Sequence, residues 1–370
     1  MRENIQLQSL IASINPADHE AIAAARDRLN RLAKPPGSLG VLEDIAAKLA
    51  GITGQVKNTI AGKAVVILSA DNGVVEEGIA SAPQSVTYAQ TINFAKGVTG
   101  VAVLAKQAGA RLYVVDVGVN AEIDHPDIIG RKVRMGTGNI ARGPAMTRDE
   151  AIKAVLAGAE VAAMAIKEGI NLLGAGEMGI GNTTTSSAIL AALTGCPVEL
   201  AVGRGAGIDD AGFAHKKQVV ADAVAINRPD PTDMLDIVSK VGGLDIAAMT
   251  GVYLGAAAAR VPVVIDGFIS AVAAALAVQM APDAINYMFA SHLSEEPGYR
   301  LVMDRLGLCP MLNMRMRLGE GSGCPLAFSL IEFACAMMND MATFAEGSID
   351  DEYLEQIDES SFDNPTVMVE

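Results

Sequence analysis

A carboxylate lies inside a glycine-rich segment, "GAGEMGIGNTTTSS", at positions 174–187. Gly174, Gly176 and Gly179 have the spacing G-x-G-x-x-G directly after an apolar run, and Glu177 stands within it. Gly181 and a run of hydroxyl side chains follow. A glycine turn that opens a helix presents backbone N–H groups to an anion. The segment therefore predicts an anion site with one acidic side chain beside it.

The residues leave three interpretations of this turn open. G-x-G-x-x-G is typical of dinucleotide-binding turns, and Glu199 follows at the distance expected of an acid that holds a ribose. Glu177, however, would repel a doubly charged pyrophosphate, whereas Gly181, Asn182 and Thr183 suit a single phosphate monoester. The third interpretation is an ordinary strand-to-helix turn with Ser and Thr caps. The segment has no G-K-[ST], so it is not a Walker loop.

Two further loops place a charged side chain between glycines. In "LGEGSGCP", at 318–325, the charged residue is Glu320, and in "VGRGAG", at 202–207, it is Arg204, with Lys216 shortly after. Flanking glycines let the backbone bring such a side chain close to a ligand. A solvated turn acid and a surface lysine are the alternatives at Glu320 and Lys216.

Short, continuous apolar runs alternate with helical segments along the chain. The runs lie at 64–73, 111–118, 170–176, 197–207 and 261–267, with a weaker sixth at 285–291. Continuous apolar strands, each followed by a helix, predict an α/β fold with a doubly wound, mostly parallel sheet and helices on both faces. Ligands of such sheets bind outside the carboxyl ends of the strands. The polar residues expected there are Asp71, Asp116, Glu177, Arg204 and Asp266.

Apolar residues at helical spacing predict helices at 148–169, 16–33 and 325–346. Pro325 suits the first turn of the last helix. The apolar residues that share one face of it are typical of a core or a subunit interface, and they are Phe333, Met337, Met341 and Phe344.

Composition and charge exclude several classes of protein. The net charge is −15, so binding of DNA or RNA through counterion release is not expected. Four widely spaced cysteines predict neither disulfides nor a zinc site. No secretion signal precedes the body, and no apolar stretch reaches the ~20 residues that span a bilayer. We expect a soluble, cytoplasmic protein that does not bind membranes, with a flexible acidic tail at 346–370.

Three motifs in order resemble one family, the nicotinate-nucleotide–dimethylbenzimidazole phosphoribosyltransferases of cobalamin lower-ligand activation. They are "KPPGSLGVLE" at 34–43, "GEMGIGNTT" at 176–184 and "RLGEGSG" at 317–323, and "VGRGAG" adds to them. The resemblance implies transfer of the 5-phosphoribosyl group from β-nicotinate mononucleotide to a benzimidazole nitrogen. It also implies a homodimer, no metal and no organic cofactor. The implied organisation is a Rossmann-like catalytic domain at 61–319 and a small helical domain made of 1–60 with 320–345.

The resemblance carries over residue by residue. Glu320 matches the general base, and Glu177 matches the acid beside the ribose, which would stabilise oxocarbenium character electrostatically. Positions that match the phosphate site are Gly179, Gly181, Gly205 and Lys216. Other expected substrate contacts are Ser294, Gln90 on the aromatic-base pocket, and the loop residues Gly176, Asn182, Thr183, Leu318, Gly319 and Gly321.

One departure from the family pattern is Asn72, where many members are expected to have His. This departure leaves the preferred acceptor open among benzimidazoles, adenine and phenols. Two other functions remain as alternatives. An NAD-dependent oxidoreductase would need Glu199 rather than Glu320, and a non-catalytic nucleotide sensor would bind the mononucleotide without releasing nicotinate.

Overall fold

The computed structural model describes residues 2–350, so most of the acidic tail predicted at 346–370 lies outside the described residues. Its centre is a six-stranded, wholly parallel sheet in the order β3-β2-β1-β4-β5-β6. The strand order reverses between β1 and β4, which is the place where ligands of doubly wound sheets bind. The strands are β1 (Lys63–Ala70), β2 (Arg111–Gly118), β3 (Ile128–Gly130), β4 (Leu172–Met178), β5 (Val263–Ile265) and β6 (Met288–Ala290).

Helices connect these strands within the described part of the chain. They are α1 (Arg2–Ala12), α2 (His19–Arg31), α3 (Val41–Thr53), α4 (Ser85–Ala95), α5 (Gly100–Gln107), α6 (Arg148–Lys167), α7 (Asn182–Thr194), α8 (Val198–Ala201), α9 (Asp210–Asn227), α10 (Met234–Val241), α11 (Leu244–Ala258), α12 (Phe268–Met280), α13 (Gly298–Leu306) and α14 (Cys324–Asp340). Short 3₁₀ segments occupy Gly73–Glu77 and Pro282–Tyr287.

The predicted α/β fold is confirmed, and five of the six predicted strands lie in the sheet. Their continuous apolar pattern reflects burial, since every residue of β4, β5 and β6 is buried. The strand predicted at 197–207 is wrong. Its first part forms α8, which packs on α7, α9 and α13 and not on the sheet, so that Ala201 and Val202 are buried by helices whereas Leu200 is exposed. The three-residue edge strand β3 was not predicted, because it is too short to show a pattern.

The three predicted helices are present as α2, α6 and α14, each somewhat shorter than predicted. Thr147 and Glu150 form a reciprocal capping box that fixes the start of α6. Helix α6 packs closely on α11, and glycine at position 158 permits this. A side chain at Gly158 would overlap the carbonyl oxygen of Ala248. Similarly, a side chain at Gly251 would overlap the carbonyl oxygen of Val155. Backbone contact between these helices covers one face of the sheet beside the site.

The chain divides into two compact units. The large unit comprises the residues up to Pro16 and Ala61–Phe328, and the small unit comprises Ala17–Ile60 with the residues from Ser329 onward. These limits differ from the predicted ones at the N-terminus, because α1 packs on α6 and α11 of the large unit. They also differ at 320–328, since a side chain at Gly174 of β4 would meet Cys324 and Phe328.

The small unit contains the motif "KPPGSLGVLE". Lys34 Nζ pairs with Glu43 Oε1 at 2.8 Å, and both side chains are buried. The same carboxylate oxygen accepts a hydrogen bond from Leu39 N at 2.9 Å. A buried pair that is also hydrogen-bonded holds the turn in one conformation. Elsewhere in this unit, the predicted apolar face of α14 is divided, because Phe333 is 60% exposed whereas Met337 is buried.

Residues 2–350 contain no membrane-spanning helix, no metal-binding cluster and no disulfide. None of the helices is both long and apolar enough to span a membrane. No cluster of His, Cys, Asp and Glu side chains in this range has the composition of a metal site. All four cysteines are free thiols, and Cys324 and Cys335 are buried.

Candidate active site

A cavity of about 340 Å³ opens at the carboxyl ends of β4 and β5, within the large unit. Its wall comes from the loops that follow β4, β5 and β6, from α4 and α9, and from the segment at 317–320. The lining includes apolar side chains, among them Ile79, Ala80, Ala82, Val86, Ile180, Phe268 and Leu318. It also includes charged or polar side chains, among them Glu177, Glu320, Asp266, His292, Glu296 and Lys216. The cavity therefore offers both apolar and polar surface, as an aromatic nucleotide requires.

Glu177 lies near the end of β4, and its side chain is buried in the cavity wall. Asn182 Nδ2 donates a hydrogen bond to Oε2 of Glu177, and Glu320 N donates to Oε1 at 3.3 Å. Burial is the main cause that raises the pKa of Glu177 to about 8, and the nearby carboxylate of Asp245 adds to the rise. The side chain is therefore held in one orientation by two donors, and its raised pKa favours the protonated form near neutral pH.

Asn182 connects Glu177 to a second buried carboxylate. The same Asn182 Nδ2 donates to Asp245 Oδ2 at 3.0 Å. Asn182 opens α7 directly after Gly181, whose φ of 95° places the backbone in the left-handed region that glycine favours. Burial raises the pKa of Asp245 to about 7. Two carboxyl groups thus share one amide in a dry environment, which disfavours simultaneous ionisation.

The loop that carries Glu320 has three consecutive residues in the left-handed region, with φ of 81° at Gly319, 64° at Glu320 and 85° at Gly321. Asp266, which follows β5, holds the loop because its Oδ2 accepts from Gly321 N at 3.0 Å and its Oδ1 from Gly323 N at 2.6 Å. A non-glycine residue in this region is strained and persists only when its surroundings enforce it. The hydrogen bonds from Gly321 N and Gly323 N to Asp266 therefore hold Glu320 in a conformation that a non-glycine residue rarely adopts.

The Glu320 carboxylate has its own partners. Gln90 Nε2 of α4 donates to Oε1 at 2.8 Å, and Val101 N lies 3.4 Å from Oε2. Asn93 Nδ2 in turn donates to Gln90 Oε1 at 3.3 Å, which orients the Gln90 amide. Glu320 therefore faces the cavity from a fixed position, with the apolar side chain of Leu318 nearby.

Lys216 of α9 marks the cationic end of the cavity. Its Nζ donates to Thr183 Oγ1 at 2.8 Å and to Gly203 O at 3.1 Å. Burial lowers the pKa of Lys216 to about 8, and the carboxylate of Glu296 opposes this shift. The Gly205 backbone bends close to Lys216 with a φ of 56°. A cation, a hydroxyl and loop N–H groups together form an anion site.

His292 follows β6 and completes the polar wall. Ser291 Oγ lies 3.0 Å from His292 Nδ1, and Asp266 Oδ1 lies 3.8 Å from the same nitrogen. Burial lowers the pKa of His292 to about 4, so the ring is neutral at physiological pH. A neutral imidazole can donate or accept one hydrogen bond here but carries no charge.

Comparison with known proteins shows the family of this chain. A family described as phosphoribosyltransferase matches residues 14–349. The nicotinate-nucleotide–dimethylbenzimidazole phosphoribosyltransferase of Clostridium perfringens is 55% identical over 95% of this chain and 97% of its own. That of Ruminiclostridium cellulolyticum is 51% identical over 93% and 97%. The chain belongs to this phosphoribosyltransferase family. A crystal structure of the enzyme of the same name from Thermus thermophilus agrees, with a TM-score of 0.86, 45% identity and coverage of 90% and 99%.

In this phosphoribosyltransferase the cavity brings together most of the predicted site residues. Those that line it are Gln90, Glu177, Gly179, Gly181, Asn182, Thr183, Gly205, Lys216, Ser294, Leu318, Gly319 and Glu320. Gly176 and Gly321 lie behind the wall. A side chain at Gly176 would overlap the carbonyl oxygen of Glu320, and one at Gly321 would meet Val65 of β1. Both glycines therefore permit close approach of the Glu320 loop to the sheet.

The structure places two other candidate residues away from the cavity. Glu199 is exposed on α8 and does not line the cavity, so the acid that a dinucleotide site would need is missing from this position. Asn72 is buried and accepts a hydrogen bond from Thr185 Oγ1 at 3.3 Å. Because Asn72 packs beside Gly179 and Gly243 and not in the cavity wall, it does not contact an acceptor there.

The other predicted strand-end residues support loops. Asp71 Oδ2 accepts from Asn120 N at 2.7 Å, and Asp116 pairs with Lys132 Nζ at 3.0 Å. Neither lines the cavity. Arg204 does line it, but from the loop after α8 and not from a strand end.

Four parts of the candidate site were not predicted from the sequence. They are Asp245, His292, Glu296 and the apolar segment 79–82. His292 and Glu296 lie in "SHLSEEPG", from which only Ser294 was selected, so their neighbourhood was a signal. Asp245 opens an apolar helix and gives no local sign that it contacts Asn182.

Proposed function

We propose that this enzyme transfers the 5-phosphoribosyl group of β-nicotinate mononucleotide to 5,6-dimethylbenzimidazole or a related aromatic base. The products are nicotinate and α-ribazole 5′-phosphate, for assembly of the cobalamin nucleotide loop. The observation that carries the proposal is the arrangement of one cavity. Glu177 and Glu320 share it with an anion site at Lys216 and with an apolar wall.

The phosphate is held at the cationic end. Lys216 Nζ, Thr183 Oγ1, which accepts from Lys216, and Gly205 N are the groups that bind it, and Gly179 and Gly181 line the same cavity. Binding of this remote group positions the reacting carbon, which turns binding free energy into rate. The same contact favours the charged form of Lys216, whose pKa burial lowers to about 8 in the empty site.

Glu177 acts on the ribose side. The bond between C1′ and the pyridinium nitrogen breaks, and its electron pair leaves with the nitrogen of the neutral nicotinate ring, so no general acid is needed. C1′ gains oxocarbenium character, which an ionised carboxylate stabilises. The pyridinium of the bound substrate places positive charge near Glu177 and favours its ionised form, against the rise of its pKa to about 8 in the empty cavity.

Glu320 acts on the acceptor. One benzimidazole nitrogen attacks C1′ with its lone pair, and the proton on the other nitrogen moves to the Glu320 carboxylate. Gln90 donates to Glu320 Oε1 at 2.8 Å and fixes the carboxylate, while the longer contact of 3.4 Å from Val101 N leaves Oε2 the more weakly bonded oxygen for that proton. General base catalysis of this kind contributes about 10²–10⁴-fold in rate. The apolar side chains at 79–82, Val86 and Leu318 provide the surface on which the aromatic ring lies.

We also propose a cytoplasmic homodimer, as the resemblance implies. Tyr88, Val98 and Val103, which lie on or near α4 and α5, are exposed apolar side chains that association of two copies would cover. Light scattering in solution measures the mass of the particle and decides between one chain and two.

The proposed reaction is tested by following nicotinate release from nicotinate mononucleotide and 5,6-dimethylbenzimidazole. Glu320→Gln should lower kcat by about 10²–10⁴-fold with little change in the KM of the mononucleotide, because the proton acceptor is lost while the phosphate contacts remain. Glu199→Gln is the matched control, since Glu199 is exposed outside the cavity. Near-normal turnover of Glu320→Gln, or a loss in Glu199→Gln alone, contradicts the proposal. Adenine and phenol in place of the benzimidazole then define the acceptor range.

A further inference from the structure

Glu296 lies in the site that the proposed function gives to the phosphate, and its negative charge would repel a phosphate there. Glu296 lies between β6 and α13, and its Oε1 accepts a hydrogen bond from Gly205 N at 3.0 Å. Gly205 N is one of the loop N–H groups that the proposed function gives to the phosphate. A carboxylate and a phosphate dianion therefore require the same donor.

The second carboxylate oxygen is also unusual. Glu296 Oε2 is buried and has no hydrogen-bond partner among residues 2–350. It points at the Gly203 backbone, where a side chain would overlap it. A buried, unpaired carboxylate oxygen is unfavourable, whereas a protonated one is a donor that needs only an acceptor. A phosphate oxygen bound next to Gly205 supplies that acceptor.

The charges around Glu296 come from three neighbouring elements. Lys216 of α9 and Arg317 of the segment before Glu320 are the cations that favour its ionised form, and Gly205 N adds to them. Burial opposes them and is the largest cause, so the pKa of Glu296 lies above its ordinary value. The other charged or titratable groups of the cavity wall are Glu177, Arg204, Asp266, His292 and Glu320. An arriving dianion adds negative charge to this set and shifts Glu296 further toward the neutral acid.

We propose that Glu296 is a specificity-determining residue of the phosphate site, which takes up one proton when a phosphate monoester binds and donates it as a hydrogen bond to a phosphate oxygen. This proposal rests on the proposed function, because it uses the same anion site. The proton comes from solvent, and Gly205 N transfers its hydrogen bond from the carboxylate to the phosphate. Binding is thereby coupled to pH through one side chain.

The test is calorimetric binding of ribose 5-phosphate, which carries the phosphate without the pyridinium that would act on Glu177. Titration in two buffers of different ionisation enthalpy gives the number of protons taken up. The wild type should take up about one proton more than Glu296→Gln, whose amide does not titrate. Glu295→Gln, which changes the neighbouring glutamate in the sequence, is the matched control and should behave as the wild type.

The kinetic counterpart is the KM of nicotinate mononucleotide as a function of pH. Above the pKa of Glu296, KM should rise toward about tenfold per pH unit in the wild type and in Glu295→Gln, and less steeply in Glu296→Gln. Equal proton uptake and equal pH dependence in wild type and Glu296→Gln overturn the proposal. If Glu296→Gln does not fold, infrared difference spectra of the wild type decide, since a protonated carboxyl band must appear on binding. Nicotinate release by the wild type tests the proposed function separately.

Discussion

Glu177 and Glu320 have different environments although a backbone hydrogen bond joins them. Glu177 lies among buried carboxyl groups, and burial together with their charges raises its pKa to about 8. We therefore expect it to be ionised only when the positively charged substrate is bound. Glu320 accepts from the Gln90 amide and from a backbone N–H, and these contacts fix the position of its carboxylate. This difference matches their proposed roles, because a charge stabiliser should respond to the cation and a base should be held in place for the acceptor.

Glu177→Gln keeps an acceptor for Asn182 but removes the charge. We expect kcat to fall by about 10²–10³-fold, because the developing cation at C1′ loses its counterion. We also expect a change in the pH profile. The ratio of wild-type kcat/KM for the mononucleotide to that of Glu177→Gln should rise with pH toward about 8, where free Glu177 ionises, because any other group that titrates acts equally on both proteins. Measurement of nicotinate release across the pH range gives both results. A variant that alters only the binding of the acceptor contradicts the electrostatic role.

At the scale of the elements, two strand ends hold the catalytic loop. Asp266 after β5 accepts two backbone hydrogen bonds from the loop, at Gly321 and Gly323. Gly176 of β4 lets the Glu320 carbonyl approach the sheet with no side chain between them. The position of the Glu320 carboxylate is thus set by strands that are themselves fully buried.

Gly176→Ala tests this support. The added methyl group would overlap the carbonyl oxygen of Glu320, so the loop must move away from the sheet. A displacement of about 1 Å at a catalytic group lowers the rate by roughly 10²-fold, and we expect that loss in kcat. Gly143→Ala is the control, because a side chain there would meet nothing within 4 Å. Full activity of Gly176→Ala would show that the loop position does not limit the reaction.

At the scale of the whole molecule, three buried carboxyl groups form a cluster beside the sheet. Burial raises the pKa of Glu177 to about 8, and those of Asp245 and Asp266 to about 7. In the unfolded chain such groups titrate at about 3.9 to 4.3. Between these limits the folded protein binds more protons than the unfolded one, so its stability falls as pH rises. The buried carboxyl groups of the candidate site therefore lower the free energy of unfolding as the pH rises toward neutrality.

Asp245→Asn should reduce this dependence. The free energy of unfolding of the wild type should decrease from about pH 5 to about pH 7. The decrease is up to about 1.4 kcal/mol per pH unit for each proton that the folded protein binds and the unfolded chain does not. The amide that replaces the carboxyl group cannot titrate, so the variant should lose less stability over the same range. Urea unfolding at the two pH values measures the difference. Asp304→Asn, which changes an exposed carboxylate, should leave the slope unchanged. An identical slope in Asp245→Asn would mean that Asp245 is ionised in the folded protein.

Much of the fold could be predicted from the sequence because its signals are local. Buried parallel strands need continuous apolar residues, and β1, β2 and β4 are long enough to show them. The same rule fails at 197–207, where the apolar run forms α8 and a loop that pack on other helices, and it misses β3, which has only three residues. Local patterns do not show whether a buried apolar run joins the sheet or packs on helices.

The sequence alone determined which residues are chemically equipped for the site. Gly319 and Gly321 allow the unusual backbone around Glu320, and Gly176 beside Glu177 allows another backbone segment to come close, and both follow from the residue type itself. Only the tertiary structure decided which groups meet. Gln90 contacts Glu320 across 230 residues, Glu296 contacts Gly205 across 91, and Asp245 contacts Asn182 across 63. These contacts depend on how strands and helices pack, and a charge gives no local sign of the partner that burial will place beside it.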